Sequence, residues 1–261
     1  MNTSEFEITF LGTCAHDFSP KLKAEYKDKF DNDARRASAL LINDSLLIDS
    51  GLHILNSLSI IGKSLNEITD IFLTHLHIDH FYLPNIAEIA GSKQEALRVW
   101  VREDAEIECP KNVTLIRMKL FEKYDIGNGI TIVGMPANHA PTVFPQHFIF
   151  EKHGKKFFYG CDGGWFLNQT FNYLKNTELE LMVLDCTVGD YIGDFRMGEH
   201  NSIPMIRLML PSLRTIKAIN DHSRIILSHI APSLHKTHAE TVAIAKEFGA
   251  EIAFDGFKVT V

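Results

Sequence analysis

Cysteine is scarce in this sequence. The four cysteines lie far apart in the chain and form no CxxC pair: Cys14, Cys109, Cys161 and Cys186. This spacing excludes a cysteine zinc site and gives no disulfide framework. We therefore expect reduced thiols, most of them in the protein core.

Long apolar runs and an excess of positive charge are also missing. No stretch reaches the roughly 20 apolar residues needed to cross a bilayer, and residues 1–8 lack a basic segment followed by an apolar one. These absences predict a cytoplasmic protein without a membrane contact. The 26 Lys and Arg residues face 33 Asp and Glu residues, a formal net charge of -7, which argues against nucleic acid as a partner. A small anionic substrate stays open, because bound metal ions would supply local positive charge.

The composition is that of a folded globular protein. Hydrophobic residues make up 45% and charged residues 23% of the 261 residues, and this length fits one domain spanning residues 1–261. Short apolar strands alternate with amphipathic helices such as 53–61, 83–90, 203–213 and 238–248. This alternation predicts an α/β fold in which helices cover two stacked sheets.

Two loops and the C-terminal segment carry more specific expectations. Asn43-Asp44-Ser45 separates two apolar runs and predicts a hairpin turn. Residues 252–254 and 257–261 resemble a second, closing hairpin around Asp255-Gly256. The polar stretch 21–36 lacks helical periodicity and predicts a surface loop or a mobile lid, so the role of Asp17–Arg36 stays open.

A dense group of histidines follows the apolar strand 70–74. Three histidines and one aspartate occur within six residues, in the order His75-Leu-His77-Ile-Asp79-His80. Imidazole nitrogens and carboxylate oxygens are ligands of zinc and similar cations. On an extended segment His75 and His77 project to one side, and a following helical turn would direct Asp79 and His80 to a neighbouring position. Ordinary hydrogen-bonded histidines are the weaker interpretation, because burying four such groups without a metal leaves polar atoms to satisfy.

Thr74-His75-Leu-His77-Ile-Asp79-His80 resembles the HxHxDH signature of the metallo-β-lactamase fold superfamily. The run Leu47-Ile-Asp49-Ser-Gly51 is similar to the early strand and turn of that family, so the resemblance covers nearly the whole chain. It implies a four-layer αββα sandwich with metal ions between the two sheets.

The resemblance also implies a set of metal ligands. One divalent ion would be bound by His75, His77 and His139, a second by Asp79, His80 and His229, and Asp162 would bridge them. Zinc and manganese suit these ligands, and iron is compatible with them. Two ions about 3.5 to 4 Å apart would lower the pKa of a shared water and favour hydrolysis by the bridging hydroxide. Asp79 is assigned a catalytic role beside its role as a ligand.

Three further motifs resemble the phosphodiesterase branch of the superfamily, which includes transfer-RNA 3′-processing nucleases and phosphoribosyl cyclic phosphate phosphodiesterase. They are Tyr159-Gly-Cys-Asp162-Gly-Gly, Leu184-Asp185-Cys-Thr187 and Gly198-Glu-His200-Asn-Ser. The resemblance makes His200 the catalytic group beside the scissile phosphate, as a general acid or phosphate donor. Neither a cysteine-rich insertion nor a basic RNA-binding arm is present, which favours a small phosphodiester substrate, either linear or cyclic.

Several alternatives stay open at this point. A carboxylic ester, lactone or thioester hydrolase would use the same hydroxide, and a metal-dependent sensor would use the same ligands without catalysis. His200 could instead be a solvent-facing residue before a helix. Asp49 either orients a ligand imidazole or ends a strand, and His235 either lines the pocket or lies on the surface. A homodimer is neither required nor excluded.

Overall fold

Fourteen strands run through the described part of the chain, which in this computed structural model comprises residues 5–261. Residues 1–4, on which part of the argument about targeting segments rests, lie outside it. The strands are β1 (Glu7–Gly12), β2 (Ala39–Ile42), β3 (Leu46–Ile48), β4 (Asp70–Phe72), β5 (Leu97–Arg102), β6 (Val113–Met118), β7 (Lys123–Gly127), β8 (Ile130–Pro136), β9 (Gln146–Lys152), β10 (Lys155–Gly160), β11 (Leu181–Asp185), β12 (Arg224–Ser228), β13 (Ala250–Ile252) and β14 (Lys258–Thr260).

Six α-helices connect these strands within residues 5–261. They are α1 (Lys21–Ala24), α2 (Ile54–Ile60), α3 (Leu83–Gly91), α4 (Asn168–Tyr173), α5 (Ile203–Thr215) and α6 (His238–Lys246). Two of them begin at side-chain caps. Ser202 accepts a hydrogen bond from the backbone of Met205 at the start of α5, and Thr237 and Glu240 form a capping box at the start of α6. None of the helices in this part of the chain combines the length and apolar character needed to span a bilayer.

The strands form two sheets of seven. The first has the order β14-β1-β2-β3-β4-β5-β6 and the second the order β13-β12-β11-β10-β9-β8-β7. Strands β3 to β6 are parallel in the first sheet, and β10 to β13 are parallel in the second. The remaining pairs are antiparallel, among them β2 and β3, which are joined by the predicted turn with Asn43 and Asp44 at positive φ.

Successive side chains of a strand point to opposite faces of the sheet, and the apolar ones on each face form the core. Phe148 and Phe150 of β9 face the space between the sheets, whereas Ile149 faces the opposite side. That opposite side of the second sheet is covered by α5 through Ile206 and Met209, among others. The outer side of the first sheet is covered by apolar residues of α2 and α3. The layers are therefore helix, sheet, sheet, helix, which confirms the predicted αββα sandwich.

Two local predictions are wrong. The C-terminal strands do not form a hairpin, because β13 pairs with β12 in one sheet and β14 pairs with β1 in the other. Asp255 between them is buried and accepts hydrogen bonds from the Thr13 hydroxyl and the Arg36 backbone, at 2.8 and 2.7 Å. The stretch 21–36 is also not all loop, since Lys21–Ala24 forms one helical turn. Its end is anchored by Arg36, a fully buried side chain bonded to Asn56 and to the Tyr26 carbonyl.

Candidate metal centre

The carboxyl ends of the parallel strands meet at one edge of the sandwich. Asp49 follows β3 and the histidine cluster follows β4 in the first sheet. Asp162 follows β10 and His229 follows β12 in the second sheet. Parallel strands bring such residues to the same edge although they are far apart in sequence. His139, which follows the antiparallel strand β8, completes the group.

Three of these residues leave their strands in a left-handed backbone conformation. The φ angles of Asp49, Asp162 and His229 are +67°, +52° and +56°. Only a few per cent of non-glycine residues adopt positive φ, and such residues cluster at functional sites. Here the conformation bends the backbone sharply after each of the three strands and directs the side chain towards the centre.

One half of the centre consists of three histidines and the shared aspartate. His77 Nδ1 lies 3.0 Å from His75 Nε2 and 3.1 Å from His139 Nε2. Asp162 Oδ2 lies 3.0 Å from His75 Nε2. These four residues form one of the groups of donors spaced to hold a metal ion among residues 5–261.

The other half contains both acidic and imidazole donors. His80 Nε2 lies 2.9 Å from Asp162 Oδ2, 3.3 Å from His229 Nε2 and 3.4 Å from Asp79 Oδ2. Asp79, His80, Asp162 and His229 form a second such group, and all four are buried. Asp162 therefore occurs in both groups of donors, the position that the family resemblance implies for it.

The chemistry of these donors fits two cations. Zinc–nitrogen bonds of about 2.0–2.1 Å place the nitrogens of a tetrahedral site about 3.3–3.4 Å apart, close to the separations of 3.0–3.3 Å between the imidazole nitrogens here. Asp162 Oδ1 is buried and makes no hydrogen bond, although His229 Nδ1 and His200 Nδ1 lie 3.1 and 3.3 Å from it, and such an atom is costly unless something satisfies it. The seven predicted ligands are thus brought together with their donor atoms converging.

Electrostatics differ between the two halves. Burial, reinforced by the charge of His80, lowers the pKa of His75 to about 3, and burial also lowers the pKa of His139. Both imidazoles are then neutral, the form that binds metals. Burial acts in the same direction on His80 and His229, but the neighbouring carboxylates outweigh it and raise both pKa values, that of His229 to about 9. In this half a cation would replace the protons that now balance the carboxylates.

Residues behind the ligands hold the imidazoles in position. Asp49 Oδ2 lies 2.7 Å from His80 Nδ1, and Asp49 also accepts hydrogen bonds from the backbone and hydroxyl of Thr74. Asp49 is therefore both a strand-end residue and the group that orients the imidazole of His80, so its two open interpretations apply together. The Thr187 hydroxyl lies 2.7 Å from His229 Nδ1 and leaves Nε2 directed at His80. Such contacts fix which ring nitrogen faces a metal.

His200 lies beside the centre and is held by Asp185. Its Nδ1 is 2.9 Å from Asp185 Oδ2 and 3.3 Å from Asp162 Oδ1. Burial by itself lowers the pKa of His200, but these two carboxylates raise it to about 11. The structure thus places His200 against the shared ligand and only partly in contact with solvent, and not on the open surface.

Sequence reasoning missed the roles of Asp185 and Thr187. Asp185 Oδ1 accepts hydrogen bonds from the backbone of Thr187 and Asn201, and Oδ2 accepts from the Thr187 hydroxyl. A third group of convergent donors combines Asp162 and His229 with Asp185 and His200. Because both oxygens of Asp185 already accept hydrogen bonds, we interpret it as a support for His200 and not as a further ligand. The position of Asp185 at the end of a parallel strand was the available signal.

A cleft of about 480 Å³ gives access to the centre. His16 and Arg196 lie at this cleft, together with His77, Asp79, His200 and other residues of the centre. Arg196 is fixed by two hydrogen bonds of 2.8 Å to the carboxylate of Asp194. His235 does not line this cleft. It lies in an adjacent groove and contacts the Cys186 carbonyl through Nε2 at 2.7 Å. Arg36 is fully buried and does not line the cleft.

Comparison with solved structures gives the same architecture. The metallo-β-lactamase fold protein YhfI from Bacillus subtilis superposes with a TM-score of 0.75 at 14% identity, over 99% of this chain and 100% of that one. A diphosphatase from the PhnP family gives 0.71 at 16% identity, over 98% and 97% of the two chains. The short form of human tRNase Z gives 0.65 at 17% identity, over 97% and 98%.

Two comparisons of the amino-acid sequence gave different results. A comparison with curated protein sequences gives no significant match. The family model described as the beta-lactamase superfamily domain matches residues 45–254, which include the complete set of predicted ligands. The arrangement of those ligands at one edge of an αββα sandwich agrees with that match, and the protein belongs to the beta-lactamase superfamily.

Proposed function

We propose that this protein is a metal-dependent hydrolase that cleaves a small phosphodiester, including a cyclic one. The observation that carries the proposal is the position of His200. It lines the cleft beside the two groups of metal donors, and its Nδ1 contacts both Asp185 and the shared ligand Asp162. A histidine in this position can act on the leaving oxygen of a substrate bound at the centre.

Two divalent cations would be held by His75, His77, His139 and Asp162 on one side and by Asp79, His80, His229 and Asp162 on the other. When bound, they would supply Lewis-acid stabilisation of phosphoryl charge and lower the pKa of a water molecule. Zinc and manganese are the metals we propose, and iron is compatible with the same donors.

His200 would act as the general acid. Asp185 engages Nδ1, which leaves Nε2 as the ring nitrogen able to reach a substrate. Asp162 also raises the pKa of His200, but bound cations would oppose this influence. Asp185 is therefore the carboxylate that keeps the imidazole protonated. A protonated Nε2 can donate its proton to the departing oxygen, which avoids the release of an alkoxide.

Asp79 is the second residue that we place in the chemistry. Its Oδ2 faces His80 and His229, whereas its Oδ1 lies 3.8 Å from His16 at the cleft. Burial opposes ionisation of Asp79, but the adjacent histidines outweigh it and hold its pKa far below the usual range. The carboxylate is therefore ionised at neutral pH, the form that binds a cation and that can orient the attacking water by accepting its hydrogen bond.

Four observations bear on the substrate: the first two favour a phosphodiester over a carboxylic ester, and the last two favour a small molecule over RNA. Arg196, which lines the cleft, is bonded to Asp194 through Nε and Nη2, so its Nη1 group is the one that can donate to an anionic group. Two of the similar structures are a diphosphatase and a tRNase Z, enzymes whose names refer to phosphate chemistry. The cleft volume of about 480 Å³ suits a small molecule, and the net charge of -7 argues against a long nucleic acid.

The test combines metal analysis with a choice of substrates. Wild type, Asp162→Ala and the exposed control Asp190→Ala would be assayed for bound metal and for cleavage of bis(p-nitrophenyl) phosphate, p-nitrophenyl acetate and a lactone. Diester cleavage that is lost only with Asp162 supports the proposal, because Asp162 contributes to both donor groups. Cleavage restricted to the ester or the lactone would assign the protein to acyl hydrolysis. Bound metal with no cleavage at all would favour a sensor, and absence of metal in wild type would overturn the centre itself.

A further inference from the structure

Exposed apolar side chains concentrate around the cleft. Residues 5–261 contain seven large apolar side chains that are exposed: Ile78, Trp165, Tyr173, Tyr191, Ile192, Phe195 and Leu208. Five of them belong to the segments that border the cleft, and we name these five the rim patch: Ile78, Trp165, Tyr191, Ile192 and Phe195. A concentration of exposed apolar side chains next to a cleft commonly marks a binding site.

Ile78 and Trp165 come from the segments that carry metal ligands. Ile78 stands between His77 and Asp79 and lines the cleft. Trp165 follows Gly164, whose backbone donates a hydrogen bond to the Asn138 carbonyl at 3.0 Å. A Cβ atom at Gly164 would lie 3.3 Å from the backbone nitrogen of His200. Trp165 is therefore adjacent to the cleft on the side of His139 and His200.

The other three side chains belong to the segment 189–199, which is anchored at both ends. At one end the Gly189 carbonyl accepts a hydrogen bond from the backbone of Ile203 at 3.1 Å. At the other end the Arg196 carbonyl accepts a hydrogen bond from the backbone of His200 at 2.8 Å. Phe195 lies between Asp194 and Arg196, which form the ion pair at the cleft, and its side chain is 88% exposed.

From the centre outwards, polar and charged side chains come first and apolar side chains come after them. The metal donors lie innermost, Arg196 and His16 lie at the cleft, and the ring of Phe195 lies next to Arg196 with the guanidinium 5.3 Å from the ring centroid. A ligand that matches this order has an anionic reacting group and an apolar group beyond it. Aromatic side chains make large contacts with flat apolar groups at low entropic cost.

We infer that the rim patch binds an aromatic substituent of the substrate, so that the substrate class is an aryl or similarly planar phosphodiester. This inference rests on the proposed function. A second copy of the chain is the other candidate occupant of the patch. Ile78 lines the cleft and Phe195 adjoins Arg196 at the cleft, however, so a partner seated on these side chains would obstruct substrate entry. Binding of a substituent leaves the cleft in use and is the interpretation that agrees with catalysis.

The experiment compares two diesters that share one leaving group. Bis(p-nitrophenyl) phosphate keeps an aromatic group on the non-reacting side, whereas methyl p-nitrophenyl phosphate has a methyl group there. Both would be assayed with metal-loaded wild type, Phe195→Ala, Phe195→Tyr and the distant exposed control Leu208→Ala. We expect Phe195→Ala to lower kcat/KM for the bis-aryl diester about tenfold and for the methyl diester by no more than about twofold. Phe195→Tyr keeps the ring and should restore the preference, and Leu208→Ala should match wild type.

The possible results separate the inference from the proposed function. An equal decrease for both diesters, or no decrease for either, would refute the role of the rim patch while diester cleavage by wild type still supports the function. Failure of wild type to cleave either diester would remove both. Light scattering on the same proteins tests whether a second copy of the chain occupies the patch. A wild-type dimer that becomes monomeric in Phe195→Ala, with substrate preference unchanged, would assign the patch to contact between copies and overturn the inference.

Discussion

Replacing Asp185 by asparagine tests the proposed acid most directly. The two backbone N–H groups of Thr187 and Asn201 both donate to Oδ1 of Asp185. These bonds require that the asparagine keeps its oxygen at that position. The new NH₂ group therefore occupies the place of Oδ2, where it faces His200 Nδ1 and the Thr187 hydroxyl. The side chain keeps its shape, while a buried negative charge is lost and an acceptor becomes a donor.

The size of the effect follows from what His200 loses. With a donor opposite Nδ1, the imidazole must accept a hydrogen bond there, so the doubly protonated ring is no longer favoured. Asp185 is the strongest of the carboxylate influences that raise the pKa of His200 to about 11, and its neutralisation lowers that pKa. General acid catalysis contributes about 10²- to 10⁴-fold. We expect a decrease in kcat of about a hundredfold, or about 2.7 kcal/mol, because Asp162 and Thr187 still contact Nδ1.

The assay would measure kcat, KM and metal content for wild type, Asp185→Asn and Thr187→Val with an unactivated phosphodiester. Thr187→Val keeps the charge of Asp185 and removes one hydroxyl, so we expect a smaller decrease of about tenfold. Metal content should stay at the wild-type level in Asp185→Asn, and the alkaline limit of its pH profile should move to lower pH. Activity within threefold of wild type, or loss of metal together with activity, would refute the assignment of Asp185 as a support for the acid.

Three further predictions concern stability and metal binding. Removal of metal by a chelator should lower the melting temperature, because ions that bind only the folded state stabilise it by about 4 kcal/mol at a thousand times Kd; a melting curve unchanged by chelation would contradict the metal centre. Gly51→Ala should reduce both stability and metal content, since a Cβ atom there would lie 1.7 Å from the Asp79 carbonyl oxygen, whereas Gly91→Ala meets no atom within 4 Å and serves as the control. Burial lowers the pKa of His147 to about 4, so its neutral form contributes stability above pH 6.5 that is lost as the pH falls towards 4. The free energy of unfolding of metal-free His147→Phe, relative to that of metal-free wild type, should therefore increase by roughly 2 kcal/mol from pH 7 to pH 5. Denaturant unfolding would measure it, and the same difference between the two proteins at both pH values would disprove this prediction.

Much of the fold and of the ligand set could be predicted from local sequence. The HxHxDH run places four ligands within six residues, so their proximity needs no tertiary information. The turn at Asn43-Asp44 and the helices α2, α3, α5 and α6 agree with their sequence patterns, because apolar periodicity and turn residues act over short distances. His139, Asp162 and His229 required the family resemblance, since an isolated polar residue at a strand end has no local signature.

Tertiary structure alone decided the features that depend on distant contacts. The sequence pattern predicts a hairpin of 252–254 and 257–261, but the observed strands β13 and β14 pair with different sheets, because β12 and β1 offer free edges on either side of the buried Asp255. Asp185 and Thr187 acquire their roles only when β11 brings them beside His200 and His229. The rim patch likewise arises from segments more than a hundred residues apart. Sequence by itself determined the ligand types and most elements, whereas the partners of each buried charge depended on which strand ends the two sheets bring together.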